Sequence, residues 1–164
     1  MCSMEIEIRS LEDGEERPIE LMLLADPSLS KIREYADSGQ CYIAKYNDET
    51  IGVIVLKATH PDTIEIVNIA VREDFQGKGI GKKLLQYAIH TAKDQHAKTL
   101  EIGTGNSSIH QLLLYQKCGL RITGIDRDYF TREYEEEIYE NGILCRDMIR
   151  LSMELQHHDG GEGL

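Results

Sequence analysis

No apolar stretch in these 164 residues approaches the ~20 that a membrane-crossing helix requires. The longest uncharged apolar stretch, Ile51 to Leu56, is short and interrupted by Gly52. The opening residues, MCSMEIEIRS, lack a basic segment followed by an apolar one, so no secretory signal is expected. Cysteine is sparse and scattered. Cys2, Cys41, Cys118 and Cys145 show no CxxC spacing, which argues against a disulfide frame or a zinc site and for reduced thiols in the cytoplasm. His60, His90, His96 and His110 show no metal spacing either, and no metal is expected. Internal repeats, low-complexity tracts and long linkers are absent from the sequence. Positive charge is in deficit: 18 Lys and Arg against 29 Asp and Glu leave a net charge of −11. A field of that sign repels nucleic acid and anionic membrane surfaces and favours cationic ligands.

What is present suits one domain, expected over residues 1–156, with 157–164 as a frayed tail. Met4–Arg9 alternates apolar and charged residues, as a half-buried strand does. Pro18–Leu24 predicts a short helix. Asp26 and Pro27 offer an N-cap and a first-turn proline for a second helix, running to Ser38 and ending at Gly39. Cys41–Tyr46 and Ile51–Thr59 read as strands joined by a turn at 47–50, and Pro61-Asp62 makes another turn. Thr63–Val71 is a near-continuous apolar run, expected of a central strand covered on both faces. In Gly77–His96 the apolar residues Ile80, Leu84, Leu85, Ala88, Ile89 and Ala92 share one helical face. Thr99–Thr104 reads as a strand, Ser107–Lys117 as a helix stopped by Gly119, and Arg121–Asp126 and Leu144–Leu155 as the last two strands. The expected class is α/β: a mixed, mostly antiparallel central sheet of about seven strands with helices on both faces.

One segment stands apart from the acidic background. Gln76-Gly77-Lys78-Gly79-Ile80-Gly81-Lys82-Lys83 carries three lysines and no acid. Its glycines, at every second position, permit backbone conformations barred to other residues and leave no side chains to keep a ligand away. Successive N–H groups, followed by a helix N-terminus, suit a phosphate. The alternative is that the lysines only decorate the first turn of a helix. A nucleotide loop of the GK[ST] type is not formed, and the GxGxxG dinucleotide fingerprint is not satisfied.

The stretch IAVREDFQGKGIGKKLLQYAI resembles motif A of the GNAT superfamily of N-acetyltransferases, [QR]xxGx[GA] between a strand and a helix, with Gln76, Gly79 and Gly81 in its positions. Asn106, followed by Tyr115-Gln-Lys-Cys-Gly119-Leu120, resembles the family's downstream asparagine and Tyr-x-x-x-Gly-Phe helix end. Asn106 lies about two residues farther from Tyr115 than is common, and Leu120 replaces the usual Phe. The likeness covers about residues 40–125.

The resemblance implies an N-acetyltransferase that takes its acetyl group from acetyl-CoA and releases coenzyme A. It implies that the pantetheine arm pairs with the backbone near Ile69, Ala70 and Val71, in a gap beside Thr99–Thr104. The pyrophosphate would meet the N–H groups from Gln76 through Gly77, Lys78, Gly79, Ile80 and Gly81 to Lys82, with Asn106 at the cofactor. Tyr115 is the expected general acid, protonating the leaving thiolate, or else a tyrosine packed in its helix. Glu65 is a candidate base, its basicity raised on a largely buried strand, or an ordinary charged residue at a strand's start. Asn68 either binds substrate or satisfies a strand bulge; Cys118 either lies near the thiol or is structural. The segment Asp126–Gly142 holds seven acids against two arginines with aromatics interleaved, and either attracts a cationic amine or forms a solvated loop or dimer contact. The acceptor is a small-molecule or protein amine, and a homodimer is common in the family. The competing class is a non-catalytic acyl-CoA-binding regulatory module, which the presence of Tyr115 disfavours.

Overall fold

The structure, a computed structural model, describes residues 5–155; Cys2, Met4 and the tail expected over 157–164 lie outside the described residues. The elements are strand β1 (Glu7–Ser10), helices α1 (Ile19–Ala25) and α2 (Leu29–Ser38), and strands β2 (Gln40–Tyr46), β3 (Glu49–His60) and β4 (Thr63–Val71). A short 3-10 turn (Glu73–Phe75) leads to α3 (Ile80–Asp94), β5 (Thr99–Gly105), α4 (Ile109–Lys117) and β6 (Arg121–Asp126). Helix α5 (Tyr129–Glu133), the two-residue strands β7 (Tyr139–Glu140) and β8 (Ile143–Leu144), and β9 (Met148–Glu154) complete the chain.

Seven strands form one sheet in the order β1-β2-β3-β4-β5-β9-β6, and β7 and β8 form a separate hairpin. The pairs β1–β2, β2–β3, β5–β9 and β6–β9 are antiparallel. This is the mixed α/β sheet of seven strands that the element order predicts. The turn between β2 and β3 places Asn47 and Asp48 at φ 48° and 65°. Two consecutive left-handed residues match the twist of a tight hairpin, and Asn and Asp tolerate that region best among non-glycines.

Backbone contacts divide the chain into two compact units, Met1–Lys57 with Ile66–Ala88, and Ala58–Glu65 with Ile89–Leu164. In the first, Leu21, Met22, Ile32, Ile43, Val53, Val55 and Ala70 are buried against one another. The cap of α2 differs from expectation. Ser28, not Asp26, holds the N-cap, accepting from the Lys31 N–H at 3.3 Å. Asp26 instead accepts from the Ser28 N–H at 3.0 Å and from the Tyr35 hydroxyl at 3.1 Å, so it pins the chain one step earlier. In the second unit Leu100, Ile102, Tyr115, Leu120 and Leu151 are buried. There the expected final strand is broken: β8 ends at Leu144, β9 begins at Met148, and between them Arg146 and Asp147 turn their N–H groups to Asn106 while the Cys145 N–H bonds the Ile138 carbonyl.

Candidate active site

The glycine loop and its helix lie in the first unit. Gly77 and Gly79 have φ of 78° and 82°, where a side chain is strained whatever space surrounds it. This is why α3 starts at Ile80 and not at Gly77. The Lys83 N–H is bonded to the Gly79 carbonyl at 3.2 Å. The N–H groups of Ile80, Gly81 and Lys82 therefore precede the helix's internal bonds, as the first N–H groups of any α-helix do. Gln76 is placed otherwise than expected. Its backbone N–H bonds the Glu73 carbonyl at 3.3 Å and its side-chain amide donates to the Val71 carbonyl at 2.9 Å. The residue closes the loop onto the end of β4. Lys78 sits over the Phe75 ring at 5.4 Å.

Strand β4 alternates strictly. Ile64, Ile66, Asn68 and Ala70 are buried, while Thr63, Glu65, Val67, Ile69 and Val71 are half-buried. The strand is thus fully covered on one face only, although its apolar run predicts cover on both. Asn68 donates to the Met22 carbonyl at 3.1 Å and to the Tyr35 hydroxyl at 2.8 Å, tying β4 to α1 and α2. The alternation runs through Asn68 unbroken, and its Oδ1 is buried with no donor among the described residues.

In the second unit, Tyr115 is buried on α4, with 4% of its surface exposed. Its carbonyl accepts from the N–H groups of Cys118 and Leu120 at 3.2 and 3.0 Å, and Gly119 takes φ 104° to close the helix end. That closure explains the spacing of tyrosine and glycine. Burial, and after it the negative charge of Glu140, push the Tyr115 phenol well above its ordinary range, so it is held in the protonated form. Cys118 is the half-buried C-cap of this helix. Cys145 is buried, and burial raises its thiol pKa above the ordinary value.

The approach to α4 is fastened to residues 138–147. Ser108 donates to Glu140 Oε1 at 2.8 Å and Asn141 donates to the Ser107 carbonyl at 2.8 Å. Asn106, expected at the cofactor, uses its side chain here. Its Nδ2 donates to the Leu144 carbonyl at 3.1 Å, and its Oδ1 accepts from the N–H groups of Arg146 and Asp147 at 2.7 and 2.9 Å. Asn106 thereby places the start of α4 through the 144–147 segment.

Glu65 is half-buried but not in apolar isolation. Arg150 of β9 lies 3.4 Å from its carboxylate and 3.6 Å from that of Glu101. One cation therefore serves two acids. The acidic segment 126–142 contains α5, on which Phe130 stacks on Tyr134 at 5.7 Å and meets Tyr129 edge-on at 5.0 Å. Glu135, Glu136 and Glu137 are exposed beyond it. No cluster of His, Cys, Asp or Glu suited to a metal exists among the described residues. No helix there is long and apolar enough to cross a membrane.

The model of the acetyltransferase (GNAT) family matches residues 5–120. The chain belongs to that family. It is 54% identical over 155 residues to the uncharacterized N-acetyltransferase YvbK of Bacillus subtilis (strain 168), covering 94% of this chain and 100% of that one. A solved structure described as an IAA acetyltransferase from Bacillus cereus ATCC 14579 is 57% identical, with a TM-score of 0.89 over 92% of this chain and 100% of its own. A GNAT family acetyltransferase from Elizabethkingia anophelis with acetyl-CoA bound is 53% identical, with a TM-score of 0.90 over 92% of this chain and 98% of its own. The chain is an N-acetyltransferase.

Within this GNAT chain, the residues that sequence reasoning missed lie beyond the matched segment. Arg150 and Glu140 both follow residue 120. A signal for Arg150 was present: an arginine within the apolar run of β9 needs an acid on a neighbouring strand. Glu140 sits in a segment crowded with acids and carries no mark of its own.

Proposed function

We propose that this N-acetyltransferase carries an acetyl group from acetyl-CoA directly to a primary amine within a ternary complex. The observation that carries the reading is the pair of left-handed glycines, Gly77 and Gly79, leading into the N-terminus of α3. That arrangement offers the N–H groups of residues 77–82 to a pyrophosphate, with Lys78 and Lys82 at the rim. The bound acetyl-CoA of the relative from Elizabethkingia anophelis supports the choice of donor. The pantetheine arm lies along the backbone of Ile69, Ala70 and Val71. Asn106 holds the 144–147 segment through its side chain.

Tyr115 acts as the general acid. A thiolate is expelled when the tetrahedral intermediate collapses, and a phenol kept protonated by burial can supply its proton. Glu65, its charge balanced by Arg150, takes the proton of the acceptor ammonium through water. A backbone N–H near Ile69–Val71 steadies the oxyanion. The net charge of −11 favours a cationic acceptor. The enzyme works in the cytoplasm as a homodimer.

The test is a panel of amines with acetyl-CoA, following release of free thiol, repeated with Tyr115→Phe. Thiol release that requires an amine and falls about 100-fold in the variant is expected. Binding of acetyl-CoA with no amine supporting release would leave the non-catalytic module standing instead.

A further inference from the structure

Strand β6 ends the seven-stranded sheet and, among the described residues, pairs on one side only, with β9. All but one of its residues are exposed. Ile122 and Ile125 are 52% and 58% exposed, an unusual load of apolar surface for an edge strand. Residues three apart fall on opposite faces of a regular strand. Here they do not. Ile122 opposes Leu151, Gly124 opposes Arg150 and Ile125 opposes Ile149, with the register shifting between Ile122 and Gly124. Directly opposed residues share a face, and Leu151 and Ile149, two apart, share one with each other. Thr123 is therefore the extra residue of a bulge, and both isoleucines lie on the face of the buried Leu151. Arg121 opposes Ser152 and Asp126 opposes Met148, so both charged residues lie on the other face.

The strand, Arg-Ile-Thr-Gly-Ile-Asp, is complementary to its own reverse. We propose that β6 is the edge through which two copies of this chain pair antiparallel, Ile122 beside the second copy's Ile125 and Arg121 beside its Asp126. A two-fold axis between Thr123 and Gly124, perpendicular to the sheet, preserves the faces. Isoleucine then meets isoleucine on the core side, and arginine meets aspartate on the other. The bulge makes this possible, because without it residues 122 and 125 would not share a face. Asp126 already accepts from Arg132 at 3.2 Å, and a carboxylate has acceptor sites to spare. Such a contact is isologous: it closes at two copies and consumes the exposed edge. It does not depend on the acetyl-transfer reading.

Sedimentation velocity on the wild type, Arg121→Asp and Asp126→Arg tests this, with circular dichroism to verify folding. The wild type is expected as a dimer. Each variant has like charges at both ends of the strand, and its dissociation constant should rise about tenfold or more. Mixing the two variants should restore a mixed dimer, because each offers the sign the other lacks. Arg132→Ala should leave the dimer intact. Amide exchange across 121–126 in the wild type should slow as protein concentration rises, which tests the contact without any variant. A monomeric wild type, a dimer untouched by both reversals, variants that fail to recombine, or exchange at 121–126 independent of concentration would each overturn the proposal.

Discussion

Arg150 stands 3.4 Å from Glu65, a residue 85 positions earlier in the chain, and holds Glu101 at 3.6 Å as well. All three side chains are partly exposed, and removing the cation leaves both acids without their shared partner. Arg150→Met should therefore destabilise the fold by about 1–3 kcal/mol, more than Glu65→Gln does. Glu65→Gln should lower kcat by about tenfold, at or below the usual range for a general base, since water reaches the same proton. Urea melts and steady-state kinetics on both variants measure the two effects separately.

Gly79→Ala should damage donor binding through the backbone. Nothing lies within 4 Å of the added methyl, so the cost is the φ of 82° and not a clash. That strain is of order 1–2 kcal/mol. Gly14, at φ 87° with equally open surroundings, is the control. Gly14→Ala should lose similar stability and keep the KM for acetyl-CoA, while Gly79→Ala should raise that KM. Equal KM values in the two variants would separate the loop from the cofactor.

The phenol of Tyr115 is held above its ordinary pKa of 10.0, chiefly by burial and then by Glu140. The folded state binds this proton more tightly than the unfolded one. Its contribution to stability is thus complete below pH 10.0 and is lost as pH rises beyond it. Thermal melts of the wild type should fall more steeply in strong alkali than those of Tyr115→Phe. Glu140→Gln should recover only the smaller part of the difference. An alkaline limb in kcat below that pH should survive in Tyr115→Phe, because it must come from another group.

Asn106→Ala removes three hydrogen bonds that hold the 144–147 segment. A loss of about 1–3 kcal/mol is expected. Faster amide exchange at Arg146 and Asp147 should accompany it. Exchange unchanged at those two residues would mean the segment is held by other contacts.

The parts legible in the sequence were those written in local chemistry. The glycine spacing placed the loop, and the apolar stripe from Ile80 to Ala92 placed α3. The sequence pattern starts α3 at Gly77, three residues early, because glycine permits a helix as readily as it permits the left-handed turn that Gly77 and Gly79 adopt. The break between β8 and β9 was invisible, since it depends on Asn106, some 40 residues away. Strands β7 and β8 have two residues each, too few to show any period. The sequence leaves Glu65 between a carboxylate on a largely buried strand and an ordinary charged residue at a strand's start, because its partner, Arg150, is distant in sequence.

Initial-velocity measurements with acetyl-CoA and an active amine varied together test direct transfer most directly, for the wild type and Tyr115→Phe. Intersecting double-reciprocal lines, with kcat about 100-fold lower in the variant and little change in either KM, are predicted. Parallel lines, which signal an acetylated enzyme, or an unchanged kcat in Tyr115→Phe, would contradict the account.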